Sequence, residues 1–345
     1  MQEFAVSTLP VLEGLAKARP GILATATNLL SILGDEKLFV LIAMIVLWCF
    51  SKRGGLYMMT VGFSASTVGQ TLKMLFRVPR PWNLEGADFR GADAIARDGW
   101  PDHGIGKIMN KLGTGAAGWS FPSGHTLISV GTYGAMAAWF RNKWVKLAGI
   151  ALAVLVPFTR LYLGVHTILD VAAGAVIALA LLLLLRPIFR SEGVMAVRLV
   201  LIGNIVLTAA LLGLSYLTCP KDLSAAEATL YAQGVKDLWQ LVGATVAIWA
   251  AFEVDEAGLH YPTRAIWWAQ LIKIAGGAAI VLGLQLGVQK VLGYSSDNLS
   301  LENMTQMGGI ACLANLVCVL GGAAIWPFTF RWFSRLGYQG KHARR

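Results

Sequence analysis

The chain has 345 residues, 56% of them hydrophobic and 14% charged, with a formal net charge of +10. Soluble globular domains carry about 25% charged residues, so the composition excludes an ordinary soluble domain and predicts an integral membrane protein. The positive charge does not form a nucleic-acid-binding stripe, because Lys and Arg cluster beside apolar runs, as membrane topology requires.

In chain order, residues 1–34 are moderately apolar and broken by Pro10 and Pro20. Leu23, Leu29, Leu30 and Leu33 are spaced to line one helix face, which predicts an interfacial N-terminal segment. The first 20 residues hold Glu3 and Glu13 and no basic start before an apolar core, so no cleavable signal peptide is expected. Apolar runs then predict nine membrane spans, near 37–51, 55–78, 122–140, 144–158, 164–186, 197–217, 238–252, 265–289 and 306–330. The expected fold class is all-α, a polytopic membrane helix bundle. Its parts are the N-terminal segment 1–34, a membrane core at 35–196, and C-terminal helices with a basic tail at 197–345.

Lys52 and Arg53, then Arg141, Lys143 and Lys146, then Arg186, Arg190 and Arg198 fall on one side of that bundle, with the tail residues Arg331, Arg335, Lys341, Arg344 and Arg345. By the positive-inside rule this side is cytoplasmic, which puts the N-terminus outside and the C-terminus inside, in a plasma or inner membrane. The connection at 253–264 dissents with Glu253, Asp255 and Glu256 against Arg264, but acidic residues weigh little in that rule. The stretch 82–120 is mixed in charge, glycine-rich and too polar to cross a membrane, so a lid or substrate-contacting loop is expected. Asn298 and Asn303 open formal glycosylation triplets to which nothing is assigned. Cys49, Cys219, Cys312 and Cys318 lie in or beside apolar stretches without a Cys-x-x-Cys pair, which predicts neither a disulfide framework nor a metal site.

Three short stretches carry candidate chemistry. In Phe121-Pro122-Ser123-Gly124-His125, Pro122 suits a first helical turn, and Ser123, Gly124 and His125 would lie at the positive end of a helix, a ready anion site. Alone, a Ser-Gly pair at a helix start is more often only a cap. Upstream, Lys73 and Arg80 are seven apart, which in a helix puts both on one face; Arg77 between them suits snorkelling at the membrane surface. Downstream, Arg160 adds a third cation, and His166 and Asp170 are four apart, one helical turn. A carboxylate so placed accepts one imidazole N–H and leaves the other nitrogen free to attack phosphorus. His125 would stand across the phosphate as general acid.

This ordered set, Lys73 with Arg80-Pro81, then 121–125, then Arg160, His166 and Asp170, resembles the three-part signature of the type 2 phosphatidic acid phosphatase superfamily. That superfamily includes lipid phosphate phosphatases, glucose-6-phosphatase and the vanadium haloperoxidases. The resemblance implies a six-helix-type phosphatase core within 35–196. It implies His166 as nucleophile, His125 as acid and Asp170 as orienting carboxylate, with phosphate contacts from Lys73, Arg80, Ser123, Gly124 and Arg160. A phosphohistidine intermediate and a site without metal or other cofactor follow from the same resemblance, and the cations would do a metal's electrostatic work. Thr159 stands where the family more often has Ser, and it keeps the hydroxyl.

The partners expected are the bilayer and a lipid phosphate, such as undecaprenyl pyrophosphate, phosphatidylglycerol phosphate or phosphatidic acid. No nucleic acid is expected, and the oligomeric state is open. A sugar-phosphate phosphatase is the alternative, since nine spans with the first motif after span two resemble glucose-6-phosphatase. A transporter or channel using an intramembrane charge such as Lys273 would leave the three-part pattern unexplained. His103, His260 and His342 match no motif and are expected to be solvated.

Overall fold

The computed structural model describes residues 2–85, 88–99, 118–291 and 299–332. Most of the expected lid with His103, the triplet at Asn298, and the tail with Arg335, Lys341, His342, Arg344 and Arg345 lie outside the described residues. The elements among the described residues are helical. They are α1 (Gln2–Ser7), α2 (Leu9–Lys17), α3 (Gly21–Ser31), α4 (Glu36–Cys49), α5 (Lys52–Phe76), α6 (Ala94–Asp98), α7 (Gly124–Trp139), α8 (Lys143–Tyr162), α9 (Ile168–Arg190), α10 (Val194–Leu217), α11 (Ala225–Val254), α12 (Trp267–Val291) and α13 (Met304–Leu320).

Five stretches are long and apolar enough to cross a membrane: α8, α9, α10, residues 267–288 of α12, and residues 304–332, which begin with α13. The nine expected spans are therefore not reproduced by this measure. α4 has 14 residues and α7 has 16, short of the about 20 that a bilayer asks for. α5 and α11 are long enough but carry polar positions, Ser64, Thr67, Gln70 and Lys73 in one, Glu227, Lys236 and Asp237 in the other. The apolar helices turn Val154, Val176, Leu184, Leu199, Val206 and Leu217 outward. An exposed apolar surface of that extent suits hydrocarbon rather than water.

The chain divides into two units, Met1–Val40 with Ser64–Arg186, and Leu41–Phe63 with Pro187–Arg345. In the first, Ala5, Leu9 and Leu12 of α1 and α2 pack with Val78, Leu84, Phe89 and Phe121, so the N-terminal helices help build the core beneath the motifs. Ala65, Leu127 and Ala178 bring α5, α7 and α9 together. α3 buries Ala24, Asn28 and Ser31 and leaves Leu23 and Leu29 exposed.

In the second unit, Lys52 pairs with Asp255 at 2.7 Å and Arg198 with Glu253 at 2.6 Å. Arg53 donates to the carbonyls of Ser191 and Glu192. The acidic connection thus meets basic residues of two other segments, Lys52 and Arg198, and neutralises part of their charge. Lys273 is fully buried and donates to the carbonyls of Pro262 at 2.8 Å, Thr263 at 3.0 Å and Trp48 at 3.5 Å, with its ammonium 4.7 Å from the centre of the Phe330 ring. Those partners give this intramembrane charge a structural role, tying the last turn of α4 to the segment before α12.

Candidate active site

The first motif does not lie on one helix face. α5 ends at Phe76, Arg77 has a φ of 46°, and Arg80 is extended at the N-cap of a short 3-10 turn, Pro81–Asn83. Pro79 and Pro81 explain the difference from expectation, because a residue before proline is pushed out of the α region. Lys73 thus projects from the last turn of α5 and Arg80 from the chain beyond it. Their relation comes from tertiary folding rather than helical period.

The middle motif is a cap. Ser123 is the N-cap of α7 and accepts from the Thr126 N–H at 3.4 Å. Pro122 therefore precedes the cap and does not occupy the first turn, and its bond to Phe121 is cis. The Ser123 N–H is already used, donating to the Asp170 carbonyl at 3.0 Å. Gly124 lies beside Lys73: a Cβ added there would sit 3.5 Å from the lysine Nζ.

The third motif owes its spacing to a helix end. Gly164 has a φ of 70°, the Val165 N–H returns to the Arg160 carbonyl at 3.1 Å, and the Gly164 N–H to the Leu161 carbonyl at 3.0 Å. This is the Schellman pattern. It sets Arg160 in the last turn of α8 and His166 just past the reversal. His166 and Asp170 are consequently not two residues of one helix. α9 starts at Ile168, and Thr167 caps it reciprocally: its N–H donates to Asp170 Oδ2 at 2.7 Å, and the Asp170 N–H donates to Thr167 Oγ1 at 3.3 Å.

These elements bring the two histidines, the carboxylate and the three cations together. Arg80 Nη1 lies 2.9 Å from His166 Nε2 and donates to the Val165 carbonyl at 3.0 Å, while its Nε donates to the Gly118 carbonyl at 3.0 Å. On the other side of the imidazole, Nδ1 lies 3.4 Å from Asp170 Oδ2 and 3.3 Å from Ser120 Oγ. Ser120 in turn donates to Asp170 Oδ2 at 2.5 Å. With Nδ1 protonated toward that acidic side, Nε2 keeps its lone pair and accepts from Arg80. Lys73, Arg80, Arg160 and His166 all lie within electrostatic reach of His125. Arg80, Arg160, His166, Asp170, Ser120 and Ser123 are buried, and Lys73, Gly124 and His125 are half-buried. Burial pulls the Arg80 guanidinium down to about 10, against the opposing field of Asp170.

Among the named groups, three cations face one carboxylate. Buried positive charge in excess asks for an anion. Arg160 Nε, buried, finds no hydrogen-bond partner among the described residues. Two participants escaped the sequence reading. Ser120 stands one position before the middle motif, and Ser31 of α3 accepts a hydrogen bond from Arg160 Nη1.

Comparison with known proteins gives the class. Residues 54–193, about two fifths of the chain, match the family model of the PAP2 superfamily. The chain is also similar to an undecaprenyl-diphosphatase of Sulfolobus acidocaldarius, 48% identical over 56 residues, which is 16% of this chain and 27% of that protein. The similarity thus spans about a quarter of the relative's length. No solved structure matches the chain.

Proposed function

We propose that this protein is an integral membrane phosphatase that hydrolyses a lipid phosphate monoester or pyrophosphate through a phosphohistidine, with its site on the outer or luminal side. The observation that carries the reading is the imidazole of His166, held between Arg80 at Nε2 and the Asp170–Ser120 pair at Nδ1. An arriving phosphate takes the Arg80 N–H from Nε2, which frees the lone pair beside the cation that holds the phosphoryl oxygens. Lys73 and Arg160 hold the remaining equatorial charge, the main demand of phosphoryl transfer. Nε2 forms a bond to phosphorus as the bond to the leaving oxygen breaks, and His125 passes its proton to that oxygen. Water then attacks the phosphohistidine, His125 takes a proton from it, and the N–P bond breaks to release phosphate.

A lipid substrate is favoured by the apolar surroundings. Leu155 and Phe158 on α8, within two turns of Arg160, and Val176 on α9 are exposed. Such faces suit a bilayer in which the substrate's tail stays while its head group reaches the histidines. The name of the Sulfolobus relative makes a polyprenyl pyrophosphate the first candidate.

The test is phosphate release by the purified protein in detergent. Undecaprenyl pyrophosphate, phosphatidylglycerol phosphate, phosphatidic acid and glucose 6-phosphate would be compared at equal concentration. Turnover of at least one lipid, lost in His166→Ala, is expected. Turnover of glucose 6-phosphate alone, or of nothing, would overturn the reading.

A further inference from the structure

The N-terminal segment lies outside the family match at 54–193, yet it reaches the site. We infer that α3 is a wall of the active site and that Ser31 is a positioning residue for Arg160, an inference that rests on the phosphatase reading.

α3 has two unlike faces. Ala24, Asn28 and Ser31 are buried, whereas Ile22, Leu23 and Leu29 point outward, Ile22 at 86% exposure. Asn28 and Ser31 therefore face the protein and the large apolar residues face away, while Thr25 and Thr27 bond carbonyls of their own helix. Each buried polar group has a task. Asn28 Nδ2 donates to Asp93 Oδ1 at 2.8 Å, and Asp93 caps α6. The Asp93 N–H donates to the Leu163 carbonyl at 2.9 Å, in the turn between Arg160 and His166. Arg19, just before α3, donates to the Gly91 carbonyl and lies 5.8 Å from the centre of the Tyr162 ring. Beyond α3, the Leu33 carbonyl accepts from the Tyr133 hydroxyl at 2.8 Å. A Cβ on Gly34 would lie 2.7 Å from Val156 and 3.1 Å from His125. The segment is thus seated against both histidine-bearing motifs.

Ser31 is the contact that bears on chemistry. Its hydroxyl accepts from Nη1 of Arg160, and Arg160 Nε, on the other edge of the guanidinium, finds no partner among the described residues. A planar guanidinium fixed at one corner has its orientation set. Ser31 therefore holds Arg160 so that the Nε edge is presented to a phosphoryl oxygen, without itself touching substrate.

The experiment compares wild type, Ser31→Ala, Ser31→Thr, Arg160→Lys and the Ser31→Ala/Arg160→Lys double variant in the phosphate-release assay. Orthovanadate affinity, read as thermal stabilisation of the detergent-solubilised protein, is measured alongside. A hydrogen bond to a charged group is lost in Ser31→Ala, so kcat/KM and orthovanadate affinity should each fall about tenfold. Ser31→Thr, which keeps the hydroxyl, should stay within about threefold of wild type, which a general folding defect would not allow. In the Arg160→Lys background the alanine should cost less than about twofold, because the partner is gone. Equal losses in both backgrounds, or no loss in either, would overturn the inference. Should wild type hydrolyse none of the substrates, the phosphatase reading fails and orthovanadate decides. Affinity weakened by Ser31→Ala sustains the role of Ser31, and unchanged or absent affinity ends it.

Discussion

Asp170→Asn separates the charge of this residue from its structural bonds. Oδ2 accepts from Ser120 and from the Thr167 N–H, and an amide oxygen can accept both. What the amide cannot supply is negative charge 3.4 Å from His166 Nδ1. At an effective dielectric of about 20, two unit charges at that separation attract by about 5 kcal/mol. With roughly half a positive charge on the imidazole as Nε2 bonds to phosphorus, the loss is about 2.4 kcal/mol, or about 60-fold in kcat. The assay is steady-state phosphate release by purified Asp170→Asn, with thermal unfolding measured on the same sample. KM should stay within about threefold, because the carboxylate is aimed at the imidazole rather than at substrate. A kcat drop below about threefold, or a rise in KM with kcat unchanged, would refute the electrostatic role.

His166→Ala should accumulate no phosphoenzyme from any substrate. His125→Ala should lose about 10²–10⁴-fold on an alkyl phosphate and less on nitrophenyl phosphate, whose leaving group needs no proton; radiolabel trapped on His166→Ala would reverse these assignments. Since Lys73, Arg80 and Arg160 surround the histidines, turnover should persist in EDTA and be blocked by orthovanadate, and activity restored only by magnesium would contradict this. A cysteine at Asp88, 78% exposed, in a background lacking the four native cysteines should react with impermeant thiol reagents added from outside; reaction only from the cytoplasmic side would invert the topology. Gly164→Ala must adopt a φ of 70° with its Cβ 2.9 Å from the Gly91 carbonyl. The left-handed backbone alone costs about 1–2 kcal/mol, so its unfolding temperature should fall by several degrees, and an unchanged value would remove the Schellman turn as the source of the motif's spacing.

What could be read ahead of the structure was set by chain-local information. Apolar runs and the three motifs are local patterns, and the structure brings Lys73, Arg80, His125, Arg160, His166 and Asp170 to one place. Helical period misled where local stereochemistry overrides it. Two prolines take Arg80 out of α5, and Gly164 takes His166 out of the helix that holds Asp170. Ser31 left no trace in any period, because its partner Arg160 is 129 positions away. Ser120 is near in sequence, but a serine before a cap has no distinguishing mark until Asp170 is folded against it. The expected runs 37–51 and 122–140 end within about two residues of α4 and α7, but helices of 14 and 16 residues are shorter than a bilayer asks for, so the count of nine is not confirmed.

The pairing of Lys52 with Asp255 bears on how the protein enters its membrane. The partners are 203 positions apart. At the usual synthesis rate of about 5–20 residues per second, the acid arrives roughly 10–40 seconds after the base. Glu253 reaches Arg198 about 55 positions later in the chain, with a correspondingly shorter delay. During that interval the turn between α4 and α5 carries Lys52 and Arg53 without their later neighbours, so its positive charge is at full strength when orientation is being decided. The finished protein hides that asymmetry behind ion pairs. On the expected orientation, with this side cytoplasmic, the charge of Lys52 and Arg53 would act in the nascent chain before the last helices arrive.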